Sequence, residues 1–465
     1  MNVQLRPRPA NSRRCQSAYR DRPVVTGQQR VQPLLRTALP FYSLALWGDS
    51  LTAYTLAGVP IPWMLQAATI LFVGVLISRN RWVPAPGIGF LLSLCAWGAI
   101  VTLANIVTGD YANMMPLRAT TTYKVFLSLR ILILTSFAAQ VYLVHWLLKH
   151  GAAKEVLRRT ANAGVIAAVC ALYIYVAQLT GLPEPPRTRI GTAGFEQSTT
   201  FSYAFHRAMG TFLEPGEFGG WLVVPLFCSM IAPGRFRTGK TMLIAVALML
   251  SGSLAALGAA VLSFFLALAI VRPTHSSGFY QLLLVPVMIA GSYGLFSLLV
   301  TDNEGGSTNL ITVLQERIEP ILEDGTAGTN RSYIYEYLEQ TTIPWFGHGY
   351  GHPQLLMARD MNLPTVGSFL NLYITTLYSV GWIGLGLLLG FLGVPIVRMV
   401  QRRTGDQIAL TIVSAAYFSW LLRFFMCIDE PTLSVAISYS LLAFNVSPVV
   451  KVPQPLGRRR LFARV

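Results

Sequence analysis

Residues 368–397 read SFLNLYITTLYSVGWIGLGLLLGFLGVPIV, a run of 30 residues without a charged side chain. A helix needs about 20 consecutive apolar residues to cross the hydrocarbon core of a bilayer, so this stretch is long enough to span it. The whole chain has the same character, since 53% of its 465 residues are hydrophobic and 12% are charged. An average soluble protein has roughly 25% charged residues. The sequence therefore predicts an all-α, polytopic membrane protein rather than a soluble enzyme.

Twelve apolar runs are candidate membrane spans. They cover residues 38–57, 60–78, 87–109, 125–148, 160–182, 218–233, 240–251, 254–271, 279–300, 368–397, 407–427 and 431–450. Residues 240–271 could also form one long helix instead of two short helices hinged at Ser251, Gly252 and Ser253. A single pass would place the basic residues that follow it on the opposite side from the basic N-terminal end. We therefore predict two passes here and about twelve in total.

The charges indicate how the chain is oriented. The net charge is +16, which in a soluble protein would suggest a nucleic-acid partner. Here 26 of the 36 basic residues fall on alternate connections and tails, while 16 of the 20 acidic residues fall on the other side. Basic residues gather on the cytoplasmic side of membrane proteins. We therefore predict cytoplasmic tails at 1–36 and 451–465 around a transmembrane domain at 37–450, and no nucleic-acid partner.

The N-terminal tail has a second interpretation. Its first 36 residues contain eight arginines and one aspartate, without an apolar stretch. An Arg-rich and acid-poor beginning also fits a mitochondrial transit peptide, although a basic cytoplasmic tail agrees equally well with the predicted topology.

Two predicted outer loops, 183–217 and 301–367, are long enough to hold a site. The first contains Arg187, Arg189 and Arg207 on a side that is otherwise acidic. Arginines beside a membrane surface suggest an anionic ligand, such as a lipid pyrophosphate. The alternative is an ordinary solvated loop in which these arginines pair with neighbouring glutamates.

The second loop combines an arginine with a glycine-rich segment. Arg331 stands in the first turn of a helix predicted from Asn330 towards Gln340. An arginine there adds its bidentate fork to the free N–H groups of the helix start, which together can bind an anion. His348 and His352 lie in the glycine-rich segment that follows, where the glycines would let backbone approach a ligand. The alternative is that Arg331 pairs with a glutamate and the glycines form turns.

Three ionisable residues lie within the predicted spans. They are Asp49, Arg130 and Arg423. An ionisable residue inside a membrane is a functional candidate by default, although one near a helix end can reach the interface. Asp429 and Glu430 follow Arg423 closely in sequence, so we expect them to be its partners.

Four short motifs appear in a fixed order over about residues 200–390. They are Arg207-x-x-Gly-Thr-Phe-x-x-Pro, the Ser251-Gly-Ser253 hairpin, Arg331-x15-Gly347 and Asn371-x9-Gly381-Trp382-Ile383-Gly384. Together with the predicted topology, this order resembles the superfamily of O-antigen ligases and Wzy-type polysaccharide polymerases, which are bacterial membrane glycosyltransferases.

The resemblance implies a reaction. Members of this superfamily transfer a glycan from undecaprenyl pyrophosphate to an acceptor hydroxyl at the periplasmic face of the inner membrane. It implies that Arg207 and Arg331 grip the pyrophosphate and that no metal or cofactor is needed, because arginines neutralise the leaving group. We add Glu217 as the candidate general base. The expected partners are the lipid-linked glycan, the bilayer and other proteins of polysaccharide assembly and export. The candidate substrate-binding residues are Arg187, Arg189, His348, His352, Arg423 and Asn371.

Two departures affect the choice of function. Ligases of this superfamily carry a histidine immediately before the Asn-x9-Gly motif, and here that position is Leu370. The Ser-Arg usual in the hairpin reads Ser253-Leu254. The sequence therefore favours a polymerase of surface polysaccharide or exopolysaccharide. The alternatives are an O-antigen ligase acting on lipid A core and a flippase or other transporter of lipid-linked oligosaccharides.

Overall fold

The computed structural model of the protein describes residues 28–79, 82–117, 119, 121–189, 207–271, 332–401 and 407–444. Within these ranges the chain is helical, apart from connections and a hairpin of two two-residue strands, β1 (Thr55–Leu56) and β2 (Val59–Pro60). The all-α prediction is confirmed for this part of the chain. The helices are α1 (Gln28–Asp49), α2 (Ile61–Arg79), α3 (Ile88–Thr108), α4 (Tyr123–Lys149), α5 (Ala153–Thr180), α6 (Pro215–Ile231), α7 (Arg237–Leu250), α8 (Leu254–Val271), α9 (Ser332–Gln340), α10 (His352–Asp360), α11 (Leu372–Gln401), α12 (Gln407–Met426) and α13 (Leu433–Phe444), with one 3-10 turn at Tyr111–Met114.

Seven of these helices are long and apolar enough to cross a membrane. They are α2, α3, α4, α5, α8, α11 and α12. Two shorter apolar helices, α6 and α13, coincide with further predicted spans, while the span predicted at 279–300 lies outside the described residues. The hinge predicted at Ser251–Ser253 separates α7 from α8, with Gly252 at φ +55°.

The first predicted span, 38–57, was wrong at its C-terminal end. The helix α1 ends at Asp49, and the chain then turns and forms the β1–β2 hairpin across Ala57 and Gly58, which both have positive φ. The reason lies in contacts with distant parts of the chain. Ala53 exchanges backbone hydrogen bonds with Thr211 and Arg189, which a helix through this stretch would not permit.

Helices α4 and α12 are the most buried of the seven long apolar helices. Helix α12 packs along α8, which presents a buried face of small residues at Ala256, Ala259, Ser263 and Ala267. Between helices in a bilayer, small side chains permit the close approach on which packing depends. Helix α12 is thereby fixed inside the bundle, and Arg423 lies in its last turn.

Helix α11 is interrupted at Gly381, whose φ of 68° and ψ of −167° are not helical. The interruption frees three carbonyl groups, and each accepts a hydrogen bond from elsewhere. The donors are His348 N to Tyr378 O at 2.9 Å, Gly349 N to Ser379 O at 2.7 Å, and Trp97 Nε1 to Val380 O at 2.9 Å. Trp382 N donates to Trp345 O at 3.2 Å. We call the segment 345–349 together with 378–382 the helix break.

Glycine makes this contact possible. A Cβ atom on Gly381 would lie 2.0 Å from Trp345 O, and one on Gly347 would lie 2.3 Å from Ser379 O. Both glycines also have positive φ, which other residues rarely adopt. The two glycine motifs that are distant in sequence are therefore one structural unit.

Candidate functional site

Thr52, in the connection between α1 and β1, binds two distant parts of the chain. Its Oγ1 donates a hydrogen bond to Glu217 Oε2 at 2.8 Å and accepts one from Leu213 N at 2.7 Å. Its carbonyl oxygen accepts a hydrogen bond from Arg189 Nη1 at 3.0 Å. Arg189 and Glu217, both candidates from the sequence, are thus connected through Thr52, and Glu217 lies in the first turn of α6.

Arg187 lies beside this junction. Its Nη2 donates to Gly210 O at 3.2 Å, and its Nη1 lies 2.9 Å from Met209 Sδ. Burial lowers the pKa of Arg187, and the Glu184 carboxylate acts in the opposite direction. The residue therefore holds the segment before α6 in place and brings positive charge to the same end of that helix.

Arg207 binds the turn between α7 and α8, and this turn packs against α6. Its side chain is 5% exposed, and its Nε donates to Ser251 O at 2.8 Å. This turn packs on Gly219 of α6, where a Cβ atom would lie 2.6 Å from Ser251 Oγ. The hairpin motif and the Arg207 motif are therefore in direct contact.

Arg423 lies against the next residue of α6. A Cβ atom on Gly220 would fall 1.7 Å from Arg423 Nη2, so only glycine leaves room for the guanidinium. The guanidinium carbon lies 4.4 Å from the centroid of the Trp420 ring. The residue is 2% exposed, yet neither Nε nor Nη1 has a hydrogen-bond partner within the described part of the chain. A buried cation without full hydrogen bonding is costly.

The expected partners of Arg423 were wrong. Glu430 forms its ion pair with Arg130, and Asp429 Oδ2 accepts a hydrogen bond from Ser368 Oγ at 2.5 Å. Burial raises the pKa of Glu430, and Arg130 acts against that rise. Glu217 lies about one helical turn before Gly220, the residue against which the Arg423 guanidinium packs.

These residues form one group around the first turns of α6, which we call the α6 cluster. The structure brings together five of the nine candidate site residues there. The members are Arg187, Arg189, Arg207, Glu217 and Arg423. Asp49 borders the cluster, since its Oδ2 accepts a hydrogen bond from Trp221 Nε1 at 3.0 Å.

His348 and His352 lie instead at the helix break and the start of α10. The imidazole of His352 is buried, with its ring centroid 4.0 Å from that of Tyr111. Its Nδ1 lies 2.5 Å from His348 O, which can only accept, so Nδ1 carries the proton and Nε2 accepts from Tyr123 OH at 2.8 Å. Burial lowers the pKa of both histidines. His352 is therefore an uncharged side chain packed in the protein interior.

Asn371 has its amide engaged at both ends. Its Oδ1 accepts hydrogen bonds from Tyr373 N at 3.0 Å and Ile374 N at 3.1 Å, which caps the start of α11. Its Nδ2 donates to Phe425 O at 2.8 Å, in the last turn of α12. In the structure Asn371 thus joins two helices, and the contact with substrate stays a prediction.

Arg331 lies outside the described residues. The helix predicted to follow it is present as α9 (Ser332–Gln340). Its relation to the α6 cluster therefore stays a prediction.

Thr52 and Gly220 were missed from the sequence. Thr52 lies in a stretch predicted to be helical, and its partners are more than 100 residues away. Gly220 stands at the edge of a predicted span and has no motif around it. The role of each depends on which distant segment packs against it, and one sequence carries no signal of that.

No protein-family model matches the chain, and no curated protein matches it in sequence.

Proposed function

We propose that the protein is a membrane glycosyltransferase that polymerises a surface polysaccharide or exopolysaccharide. The donor is a glycan on undecaprenyl pyrophosphate, and the acceptor is a second glycan at the periplasmic face. The proposal places the chain in the bacterial inner membrane, with about twelve spans and both termini in the cytoplasm. The sorting of 26 basic residues to one side and 16 acidic residues to the other supports this orientation.

The observation that carries the proposal is the buried guanidinium of Arg423. Its Nε and Nη1 have no partner in the described residues, although the side chain is 2% exposed. Two nitrogens left open in this way, with three N–H groups between them, are suited to the oxygens of an anion, and a pyrophosphate offers several. An anion in the cluster would also offset the cost of the buried charge.

The rest of the α6 cluster supports the same chemistry. As the bond between the anomeric carbon and the pyrophosphate oxygen breaks, negative charge grows on the leaving group. Arginines held in a water-poor site stabilise that charge more strongly than they would in water. Arg207 is fixed by its bond to Ser251 O, and Arg331 would complete the clamp from the second loop.

Glu217 is the proposed general base. In the transfer, the acceptor hydroxyl oxygen attacks the anomeric carbon, its proton passes to a base, and the pyrophosphate leaves with the bonding electrons. A base must lie within hydrogen-bond reach of that hydroxyl. Glu217 belongs to the same cluster as the arginines and is joined to Arg189 through Thr52, which supports its assignment.

Deleting the gene and separating the cellular glycolipids tests the function. Loss of a polymerase leaves single repeat units that still reach their acceptor. Loss of a ligase leaves long chains on the carrier, and loss of a flippase traps the repeat unit on the cytoplasmic face. Either of these last two results would overturn the proposed function.

A further inference from the structure

The segment 343–350 connects α9 to α10 and carries large apolar side chains that the protein leaves uncovered. Trp345 is 75% exposed and Phe346 is 62% exposed. The sequence around them is also free of charge, since no Asp, Glu, Lys or Arg occurs between Glu339 and Arg359. Exposed apolar patches of this kind mark a contact with another protein or with a membrane.

Helices α3 and α11 provide a scale for the depth of this segment. The two helices pack antiparallel. A Cβ atom on Gly390 would lie 3.0 Å from the Phe90 ring, and Trp97, later in α3, bonds to Val380, earlier in α11. Both helices are long and apolar enough to cross a membrane. The end of α3 and the start of α11 therefore lie at the same side of the bilayer.

The segment reaches far below that end of α3. Tyr350 N donates to Thr102 Oγ1 at 2.8 Å, and the Phe346 ring centroid lies 6.2 Å from that of Trp97. At a helix rise of 1.5 Å per residue, Thr102 lies about 9 Å and Trp97 about 16 Å below Thr108, the last residue of α3. The 21 residues of α3 measure about 30 Å, the thickness of the hydrocarbon core. Phe346 therefore lies near the middle of the bilayer.

Two further helices give a consistent depth. Trp345 O accepts a hydrogen bond from Trp382 N, which lies about 15 Å along α11 from its first residue. Gly351 packs on Phe126, only about 5 Å along α4 from Tyr123, where that helix begins. The chain thus rises from the middle of the bilayer at 345–346 to a position near the surface at 351.

The backbone of the segment is bonded in the way that hydrocarbon requires. Non-helical backbone persists at membrane depth only where its polar groups are satisfied within the protein. The N–H groups of His348, Gly349 and Tyr350 all donate to α3 or α11, and the carbonyl of Trp345 accepts from α11. These bonds leave the apolar side chains, rather than these backbone groups, to face the surroundings.

The uncovered side of the segment continues the uncovered sides of the two long helices. Ile100 and Leu103 of α3 are exposed, and so are Trp382 and Ile383 of α11. Lipid chains surround such side chains on helices that cross a bilayer. Because Phe346 lies beside Trp97 of α3, and Trp345 bonds to Trp382, the same lipid chains reach both aromatic rings.

We propose that residues 343–350 form a re-entrant segment, which enters the bilayer beside α3 and α11, and that Trp345 and Phe346 contact lipid acyl chains there. The segment descends from α9, whose exposed Glu339 marks the aqueous side, and returns through α10 to Arg359. Part of the loop predicted at 301–367 then lies inside the membrane. The inference concerns contact with lipid alone and does not depend on the proposed transferase activity.

A nitroxide spin label at position 345 tests this depth. Trp345→Cys is made in the full-length chain with its five cysteines replaced by alanine, and the labelled protein is studied in lipid nanodiscs. Leu103→Cys is the control for lipid contact, because that residue is 63% exposed on α3, and Glu339→Cys is the control for water. Collision rates with oxygen and with a polar nickel chelate are compared at the three positions.

We expect the ratio of oxygen to nickel collisions at position 345 to match that at 103 and to exceed that at 339 about tenfold, because a polar chelate is excluded from hydrocarbon. A ratio equal to that at 339 would place the segment in water. Low collision rates with both reagents would show that protein covers it. Either of these results would overturn the proposal.

Photocross-linking tests the same contact with the native cysteines in place, and so remains decisive if the cysteine-free protein fails to fold. The photoreactive amino acid p-benzoylphenylalanine is incorporated at position 345 or 103 of the protein in nanodiscs. We expect phospholipid adducts by mass spectrometry at both positions. A cross-link from position 345 to a peptide of this protein, in the same copy or a second one, would contradict the proposal, as would the absence of a lipid adduct there.

Discussion

In the helix break and in the α6 cluster alike, a glycine packs closely against another part of the chain. The polar groups are hydrogen-bonded at the break, whereas some of those in the cluster are not. At the break, a Cβ atom on Gly381 would meet the backbone oxygen of Trp345, and each carbonyl freed by the interruption has a donor. At the cluster, a Cβ atom on Gly220 would meet the guanidinium of Arg423, and two of its nitrogens have no partner in the described residues.

This difference indicates that the helix break serves folding and that the α6 cluster serves function. A polar group that is buried and bonded contributes modestly to stability, whereas one that is buried and unbonded costs about 1–3 kcal/mol. The break therefore has what a rigid structural joint needs. In the cluster, the incompletely bonded guanidinium lowers stability, and a bound anion would remove that cost. Such a loss of stability is common at sites where activity requires it.

The largest expected effect is at the break. Gly381→Ala would force a side chain into a positive-φ position and against a backbone oxygen that cannot move away. We expect a loss of about 3 kcal/mol or more in stability, with little correctly folded protein recovered. Gly386→Ala in the same helix is the matched control, because nothing lies within 4 Å of its Cβ position. The measurement is the yield of monodisperse protein in detergent, and equal yields would contradict a structural role for the break.

The next effect is expected at Gly220. Gly220→Ala should displace the Arg423 guanidinium and lower glycan polymerisation about 10²-fold, while the protein still folds. Gly216→Ala lies about one turn earlier in α6 with open space around its Cβ position, so its activity should match the wild type. Polymerised glycan in complemented deletion cells is the readout. The cluster would lose its functional assignment if both variants were fully active.

A smaller effect should distinguish two arginines. Arg130→Gln leaves Glu430 without its ion-pair partner. The free energy of unfolding should fall by about 1 kcal/mol, which would lower the thermal unfolding midpoint. Arg423→Gln removes a buried charge that has no ion-pair partner in the described residues, so the midpoint of the unliganded protein should stay the same or rise. A fall with Arg423→Gln as large as that with Arg130→Gln would make Arg423 a structural residue.

The smallest effect concerns pH and the break. Because burial lowers the folded-state pKa of His352, the unfolded chain takes up a proton first as the pH falls below about 6.5. Stability is therefore full above that pH and decreases below it, by at most about 1.4 kcal/mol per pH unit for this residue. The unfolding midpoint at pH 5.5 and 7.5 checks this, and His352→Gln should flatten the slope. His348 contributes in the same direction, so the slope should not vanish.

The sequence predicted the helices well because apolar length is a local property. Ten predicted spans coincide with described helices to within a few residues, apart from the start of α5 and the ends of α11; the predicted end of the last span, at 450, lies outside the described residues. The end of α1 was misplaced because the residues that pull Ala53 out of a helix, Thr211 and Arg189, are far away in sequence.

The site was predicted in part, for the same reason. Residue type identified the arginines of the α6 cluster, because basic side chains on the predicted outer side, which is otherwise acidic, are visible in the sequence. Residue type could not show that Glu430 pairs with Arg130, 300 positions away, instead of with Arg423. Nor could it show that the glycines near His348 pack on Gly381, because that depends on where α11 is interrupted.

The proposed function depends most directly on Arg423 as a buried anion site. The decisive measurement is the affinity of undecaprenyl pyrophosphate for the purified protein in nanodiscs, compared between the wild type and Arg423→Gln. Arg359→Gln is the control, because that arginine has a side chain 51% exposed and paired with Asp360. We predict that affinity falls about 10- to 100-fold in Arg423→Gln and is unchanged in Arg359→Gln. Equal affinities in all three proteins would contradict an anion site at Arg423.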